Sequence, residues 1–130
     1  MADKINNIPV QKTDTSNVLR ANIDYGTESS NPIKNAKVGD VITLNRHLSS
    51  SKDAEGLQNV VSHAASKGYG VKEYYSINGV SEGIDVNKIL GTNHTYSNQK
   101  ELILKKGLKL ELVEERKLNN KPFKIFKVVK

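Results

Sequence analysis

The sequence predicts an α+β domain in which β-strands outnumber helices. Its 130 residues are enough for one domain with its own apolar core. Most of its apolar segments alternate with polar residues or are rich in β-branched residues, as strands are. Only one segment repeats its apolar residues with the period of a helix. The expected architecture is therefore a strand-rich domain with one clear helix.

The first third of the chain predicts a lead-in followed by two strands. Residues 1–16 are polar and aperiodic, which is typical of a flexible lead-in or linker, so the domain is expected to cover residues 17–130. The segment NVLRANI (17–23) is apolar and β-branched enough for a strand. A loop rich in Gly, Ser, Asn and Pro follows. The segment VITLNRHL (41–48) then alternates as a second strand does.

One helix is predicted in the middle of the chain. Its apolar residues fall at i, i+3, i+4 and i+7, which places Leu57, Val60, Val61 and Ala64 on one face. Three serines at 49–51 precede it, and serine is a favoured N-cap residue. We therefore expect the helix to begin near these serines, with at least one of them as its cap.

The rest of the chain predicts mainly strands. Residues 71–77 form one, ended by the Asn-Gly turn signal at 78–79. The segment GIDVNKIL (83–90) is either a short strand or a single helical turn. Three more strands are expected at about 101–104, 108–115 and 122–129, the last two joined as a hairpin by the turn NNKP.

Composition excludes several kinds of site. The chain has no cysteine, so it has neither a disulfide framework nor a cysteine-ligated metal, which fits a reducing compartment. The histidines, His47, His63 and His94, lack metal-ligand spacing, so no metal site is expected. No run approaches the roughly 18 apolar residues of a membrane span, and the N-terminal segment lacks the apolar core of a secretory signal.

The net charge of +6 comes from the C-terminal end of the chain. Residues 1–95 hold ten basic and ten acidic residues, whereas residues 96–130 hold ten basic and four acidic ones. A basic end can attract nucleic acid, an anionic cofactor or an acidic partner. The lysines alternate with apolar residues, however, which favours a solvent-facing strand surface that discourages edge-to-edge aggregation.

Three polar features stand at strand positions. Arg20 is the only charged residue inside its strand, and the serines 49–51 follow the second strand. Gln99 and Glu101 lie two positions apart where the segment ELIL begins, so in an extended chain both would face the same side. Each feature has an ordinary explanation: an arginine that reaches solvent, a helix cap and an exposed acid.

In their order and spacing these features resemble the mono-ADP-ribosyltransferase family of the arginine–serine–glutamate type, found in bacterial toxins and phage proteins. That family has a strand with a lone arginine, here VLRANI, and a strand running into Ser-Thr-Ser, here SSS. It also has a turn with an aromatic residue three positions before Gln/Glu-x-Glu, here YSNQKE. The resemblance covers about residues 17–130 and implies a split β-sheet fold.

The resemblance implies NAD as substrate and no metal. The enzyme would break the bond between nicotinamide and ribose and transfer ADP-ribose to a macromolecule. Glu101 would stabilise the oxocarbenium-like transition state. Arg20 would bind the NAD pyrophosphate, whose oxygens suit a guanidinium. Ser49 and Ser51 would belong to the NAD-binding site. Ser49 would hold Glu101 in place by a hydrogen bond, and Ser51 would support the adjoining strand.

The residues before the catalytic acid are implied to face the acceptor. Glutamate at the position of Gln99 is typical of transferases that modify arginine, whereas glutamine goes with other acceptors, asparagine among them. We therefore expect the acceptor to be a protein that is modified at a residue other than arginine, and we expect Gln99 and Tyr96 to contact it. Such a domain would be a toxin or effector in the cytoplasm of a target cell, secreted or injected as part of a larger protein. A cognate immunity protein would be a further partner, and a monomer is the default expectation.

The chain departs from the family pattern at two places. Ser50 replaces the usual threonine, which keeps a hydroxyl. Only 16 residues precede the arginine strand, where relatives carry helices that cover part of the NAD cleft. A minimal form, a domain excised from a longer protein, and NAD affinity supplied in another way all remain open.

Other functions remain open as well. A nucleic-acid-binding module would use the basic C-terminal third and would bind with a steep salt dependence. A ribonuclease toxin would use a histidine, His47 or His94, together with basic residues. A degenerate transferase would only bind a partner.

Overall fold

The computed structural model describes residues 11–12, 16–24, 36–94 and 96–129. Within them lie nine strands, two α-helices and one 3₁₀-helix. The strands are β1 (Gln11–Lys12), β2 (Asn17–Ile23), β3 (Val41–Thr43), β4 (Leu48–Ser51), β5 (Val71–Asn78), β6 (Glu82–Asp85), β7 (Glu101–Leu104), β8 (Lys109–Leu118) and β9 (Lys121–Val128). The helices are α1 (Ala54–Ser66) and α2 (Val86–Leu90), and the 3₁₀-helix covers Ser97–Gln99.

The nine strands form one mixed sheet in the order β1-β6-β7-β4-β2-β5-β9-β8-β3. All neighbours are antiparallel except β5 and β9, which are parallel. Strand β2 pairs with β5 along its whole length, but it pairs with β4 only where Leu19 lies opposite Ser51. The sheet is therefore split into a β4 half (β1, β6, β7, β4) and a β2 half (β2, β5, β9, β8, β3). The predicted α+β class with a split sheet is confirmed.

The core is built from both halves of the sheet. Buried apolar side chains of the two halves belong to one cluster, which includes Val18, Leu48, Tyr75, Ile77, Leu102, Leu104, Leu110, Leu112 and Phe126. The rings of Tyr75 and Phe126 meet edge to face, with 6.0 Å between their centroids. This shared core holds the two halves together despite their single backbone pair.

Helix α1 packs on β2 and β4, next to the split. The predicted periodicity is correct, but the predicted serine cap is wrong. Asp53 is the N-cap, and its carboxylate accepts a hydrogen bond from the Gly56 backbone N–H at 2.9 Å. The serines at 49–51 cannot cap the helix because they lie in β4, paired with β7.

The single strand predicted over 41–48 is also wrong. Its two ends form separate strands in different halves of the sheet, since β3 pairs with β8 and β4 pairs with β7. Leu44 and Leu48 are both buried in the common core. The apolar pattern therefore continues while the chain crosses from one half to the other, which is why the sequence read as one strand.

The remaining elements follow the sequence closely. For residues 83–90 both expected structures are present, because β6 leads directly into α2, whose N-cap is Asp85. The hairpin of β8 and β9 turns at Asn119 and Asn120, both with positive φ (52° and 65°), as tight hairpin turns require. Of the lead-in predicted over 1–16, only Gln11, Lys12 and Ser16 are described, and the first two form β1, which pairs with β6.

The helices are short. In the part of the chain that the structure describes, neither is long and apolar enough to cross a membrane.

We expect Asp53→Ala to lower the free energy of unfolding by about 1 kcal/mol, because it removes the N-cap of α1. The hydrogen bond from the Gly56 N–H, and then the Lys100 ammonium, hold the pKa of Asp53 below its ordinary 3.8. The part of its contribution that depends on the charge is therefore complete above pH 3.8 and is lost as the pH falls through the lower folded-state value, while the capping oxygen remains. Urea unfolding at several pH values measures this dependence.

The matched control is Asp53→Asn, which keeps a capping oxygen but loses the charge. Since the Asp53 side chain is 48% exposed, solvent screens its ion pair with Lys100, and this variant should lose little stability. An equal loss in both variants would show that the charge, and not the cap, is what matters.

Candidate active site

The split between β2 and β4 opens a cleft in the sheet. Beyond the Leu19–Ser51 pair the two strands no longer pair. In the gap, the guanidinium Nη1 of Arg20 donates a hydrogen bond to the Ser49 carbonyl oxygen at 2.7 Å. The open space is about 230 Å³ and is lined by Leu19, Arg20, Ala21, Ser49, Ser50, Ser51, Leu57 and Val60. Its walls are thus strands β2 and β4 together with helix α1.

A carboxylate is fixed beside this cleft by the register of β4 and β7. Ser51 lies opposite Glu101 and Ser49 opposite Ile103, so Ser49 and Glu101 share one face as diagonal neighbours. The Ser49 hydroxyl donates a hydrogen bond to Glu101 Oε2. Ser49 therefore contacts Arg20 through its carbonyl and Glu101 through its hydroxyl. The structure brings together three residues that are 29 and 52 positions apart in the sequence.

The three serines have different surroundings because side chains alternate along a strand. Ser49 is exposed at the cleft, whereas Ser50 is 4% exposed and donates to the Leu102 carbonyl oxygen at 2.6 Å. Ser51 is buried and pairs on one side with Leu19 and on the other with Glu101. It thus stands where β2, β4 and β7 meet.

Arg20 is backed by residues that the sequence interpretation missed. Its cross-strand partner on β5 is Tyr75, and directly opposite residues face the same side of a sheet. The buried Tyr75 hydroxyl donates a hydrogen bond to the Glu73 carboxylate. Burial, and then Glu73, raise the pKa of Tyr75, while the positive charge of Arg20 works against that rise. Tyr75 therefore stays neutral, and the charges of Glu73 and Arg20 both act on its hydroxyl.

Only a weak signal in the sequence could have found this pair. Glu73 and Tyr75 are two apart in a strand, so their side chains share a face. Arg20 occupies the same face because of the register between β2 and β5. The local sequence does not encode this register.

Gln99 and Tyr96 lie on a turn formed by residues 96–100, which is called the acceptor turn because these two residues are expected to contact the acceptor. The expected extended geometry around Gln99 is wrong, because Gln99 ends the 3₁₀-helix and Lys100 is left-handed (φ 50°). Strand β7 begins only at Glu101. Hydrogen bonds from Gln99 N to the Tyr96 carbonyl (3.0 Å) and from Lys100 N to the Ser97 carbonyl (3.2 Å) close the turn. The tight turn, and not a shared strand face, sets the direction of Gln99.

The histidines are engaged in local contacts outside this group. His47 Nδ1 accepts a hydrogen bond from Lys106 N at 3.2 Å, and burial followed by the lysines 106 and 105 lowers the pKa of His47. His94 bonds to Asn87 at 2.6 Å, and the His63 ring packs on Tyr96. Among the described residues, no cluster of three His, Cys, Asp or Glu side chains could hold a metal ion.

Several cations of the basic C-terminal end face acids. Lys100 pairs with Asp53 and Glu55, Arg116 with Glu114, and Lys127 with Glu111. Lys124 is buried, with 6% of its surface exposed. The charge excess of this region is thus partly neutralised within the fold.

The chemistry available at the cleft is that of a carboxylate and a guanidinium held on opposite sides of Ser49. A fixed carboxylate stabilises a positive charge that develops on a bound molecule. A guanidinium binds phosphate or carboxylate oxygens through paired donors. The cleft therefore suits a molecule that carries an anionic group and becomes cationic as it reacts.

Solved structures of bacterial toxins share this fold. Exoenzyme S from Pseudomonas aeruginosa, in a complex with human 14-3-3 protein beta and carba-NAD, superposes with a TM-score of 0.60 at 15% identity, over 90% of this chain and 50% of that one. The Vis toxin from Vibrio splendidus, an ADP-ribosyltransferase, gives 0.55 at 14% identity, over 97% of this chain and 52% of that one. Plx2a, an ADP-ribosyltransferase toxin from Paenibacillus larvae, gives a TM-score of 0.56 at 15% identity, over 88% of this chain and 61% of that one.

These similarities show a common fold. The chain spans about half the length of the first structures it matches. No model of a protein family and no curated protein matches the sequence.

We expect Ser50→Ala to lower the free energy of unfolding by about 1 kcal/mol, because it removes a buried hydrogen bond to the Leu102 carbonyl. Ser49→Ala should cost less, since Ser49 is exposed. Chemical denaturation of both variants makes the comparison. A larger loss for Ser49→Ala would contradict the assignment of Ser50 to structure and Ser49 to the cleft.

Proposed function

We propose that the chain is a mono-ADP-ribosyltransferase that cleaves NAD at the nicotinamide–ribose bond and transfers ADP-ribose to a macromolecular acceptor. The observation that carries this proposal is the Arg20–Ser49–Glu101 group at the split of the sheet. Its members are the residues to which the family resemblance assigns NAD binding and catalysis. The fold shared with ADP-ribosyltransferase toxins supports the same function.

Glu101 would stabilise the transition state. The bond between ribose C1′ and the nicotinamide nitrogen breaks, and its electron pair leaves with nicotinamide, which becomes neutral. Positive charge then develops on the ribose, as in glycoside hydrolysis. The Glu101 carboxylate, held by the Ser49 hydroxyl, would lie beside that charge and near the ribose 2′-hydroxyl. The acceptor nucleophile forms the new bond to C1′ and gives up a proton.

Arg20 would bind the pyrophosphate of NAD. One of its guanidinium nitrogens donates to the Ser49 carbonyl, and the Glu73–Tyr75 pair lies near it. An arginine oriented in this way presents a planar fork to phosphate oxygens. We expect the cleft between β2, β4 and α1 to hold the reacting half of NAD.

The acceptor turn would face the target. Gln99 stands two positions before Glu101, and Tyr96 on the same turn keeps 48% of its surface exposed. An amide side chain can hydrogen-bond another amide, whereas it cannot deprotonate a guanidinium. We therefore propose a protein acceptor that is modified at a residue other than arginine.

The proposed setting is that of a toxin or effector domain. The domain would act in the cytoplasm of a target cell after delivery as part of a larger protein. Its partners would be NAD, the target protein and a cognate immunity protein. The reaction as written requires no metal.

We expect Glu101→Ala to lower both nicotinamide release and target labelling by at least about 100-fold, since removing a fixed charge-stabilising group costs about that much. The measurement is incubation of the purified chain with a cell lysate and NAD labelled in its adenylate phosphate. The matched control is Glu82→Ala, at an exposed acid on β6, which should retain both activities.

The outcomes separate the rival functions. A folded wild-type chain that neither labels protein nor releases nicotinamide contradicts the transferase. RNA cleavage that survives Glu101→Ala but is lost on replacing His47 or His94 would indicate a ribonuclease. Retention on heparin with a steep salt dependence, and no use of NAD, would indicate a nucleic-acid-binding module.

We expect Gln99→Glu to change acceptor choice. A second carboxylate on the turn can orient and deprotonate a guanidinium, so labelling of the wild-type target should fall by about tenfold or more relative to nicotinamide release in the same sample. Agmatine, a small guanidinium compound, should become a better acceptor for the variant. An unchanged ratio and no gain with agmatine would remove Gln99 from acceptor selection.

A further inference from the structure

We propose that helix α1 is the positioning element of the acceptor turn, and that the close contact between Gly56 and Gln99 sets how ADP-ribose is divided between water and the acceptor. This inference rests on the proposed transferase function. It assigns a role in acceptor transfer to residues of α1 that neither the sequence features nor the family resemblance singled out.

The contact at Gly56 leaves no room for a side chain. A Cβ atom at this position would lie 2.6 Å from the Gln99 carbonyl oxygen and 3.1 Å from both the Gln99 carbonyl carbon and Lys100 Cβ. The closest of these atoms belongs to backbone, which cannot move aside as the end of a flexible side chain can. Glycine is a poor helix residue, so its presence in the first turn of α1 is explained by this close approach.

Three further contacts join the same face of α1 to the turn. The Asn59 side-chain amide donates to the Asn98 carbonyl at 2.7 Å, and the His63 ring meets the Tyr96 ring edge to face at 5.3 Å. At the start of the helix, Lys100 Nζ donates to the capping Asp53 carboxylate at 2.9 Å. The helix positions involved are 53, 56, 59 and 63, which are three or four apart and therefore lie along one side.

The helix is the fixed partner in these contacts. It packs on β2 and β4, and its residues Leu57 and Val60 line the cleft. The 3₁₀-helix of the turn, by contrast, has no buried residue. The turn is also joined to the strand that carries Ser49, because Lys52 N donates to the Lys100 carbonyl at 3.0 Å. An extra methyl group at Gly56 would therefore displace the turn and leave the helix in place.

Displacing the turn should harm transfer more than hydrolysis. In both reactions the C1′–N bond breaks and nicotinamide leaves with the electron pair. A water molecule or an acceptor group then bonds to C1′ and releases a proton. An acceptor on a large molecule must be held within about 3–3.5 Å of C1′, and a misplacement of about 1 Å can cost about 100-fold. Water reaches C1′ without help from the turn.

The experiment compares Gly56→Ala with Gly70→Ala. At Gly70 an added Cβ would meet no atom within 4 Å, and its φ is not in the left-handed range, so this variant is a matched control. Each protein is incubated with labelled NAD and a cell lysate, and protein-bound and free ADP-ribose are measured in the same sample. For Gly56→Ala the bound-to-free ratio should fall by about tenfold or more. Nicotinamide release without lysate should stay within about twofold of wild type, and Gly70→Ala should match wild type in both.

A second pair of variants tests the turn without adding volume. Asn59→Asp replaces the donor to the Asn98 carbonyl by an acceptor of the same shape, and should lower the ratio in the same direction. Its control is Gln58→Glu, on the same helix, where the amide donates to Ser62 and not to the turn. Both changes add one negative charge, so a general charge effect would alter both variants equally. If Gly56→Ala fails to fold, this pair decides the question.

Hydrogen exchange supplies a readout that does not depend on catalysis. The Lys100 N–H bonds to Ser97 and the Lys52 N–H bonds to Lys100, so both amides should exchange faster in Gly56→Ala and not in Gly70→Ala. If Gly56→Ala and Asn59→Asp both consume NAD and keep the wild-type ratio of bound to free ADP-ribose, the inference about α1 is overturned and the proposed transferase function stands. If the wild-type protein consumes no NAD, the proposed function is overturned, and so is the inference about how ADP-ribose is divided between water and the acceptor.

Discussion

Ser49 makes the contacts on which the rest of the candidate site depends. Its carbonyl accepts a hydrogen bond from Arg20 and its hydroxyl donates one to Glu101. It can do both because β2 and β4 pair only at Leu19 and Ser51. A longer ladder would close the gap that the Arg20 side chain occupies. The common apolar core lets the two halves of the sheet stay together with so little backbone pairing.

Helix α1 extends this arrangement from the cleft to the turn at residues 96–100. Leu57 and Val60 line the cleft, while Gly56 and Asn59 contact the turn that precedes Glu101. One rigid element therefore contacts both the place where NAD is proposed to react and the residues proposed to meet the acceptor. Such a shared support keeps the two reacting partners in a fixed relation, which is the main requirement for a reaction between two bound molecules.

The sequence could predict those features of the fold that depend on local preference. Alternation located most of the strands, the spacing of Leu57, Val60 and Ala64 located α1, and the Asn-Asn turn located the last hairpin. The same reasoning failed at 41–48, where an apolar pattern continues across a crossing between the two halves of the sheet. It also failed at the cap of α1, because pairing with β7 keeps the serines in a strand and leaves Asp53 to begin the helix.

For the candidate site, the sequence by itself determined the residue types and their order along the chain: Arg20 in a strand, then three serines, then Gln99 and Glu101 near the start of a later strand. Only the tertiary structure decided that Ser49 and not Ser50 faces the cleft, that Tyr75 and Glu73 back the arginine, and that α1 holds the acceptor turn. The physical reason is that periodicity and turn chemistry act over a few residues. The register of β2, β4, β5 and β7 is set instead by the packing of one common core, and this register places distant side chains next to each other.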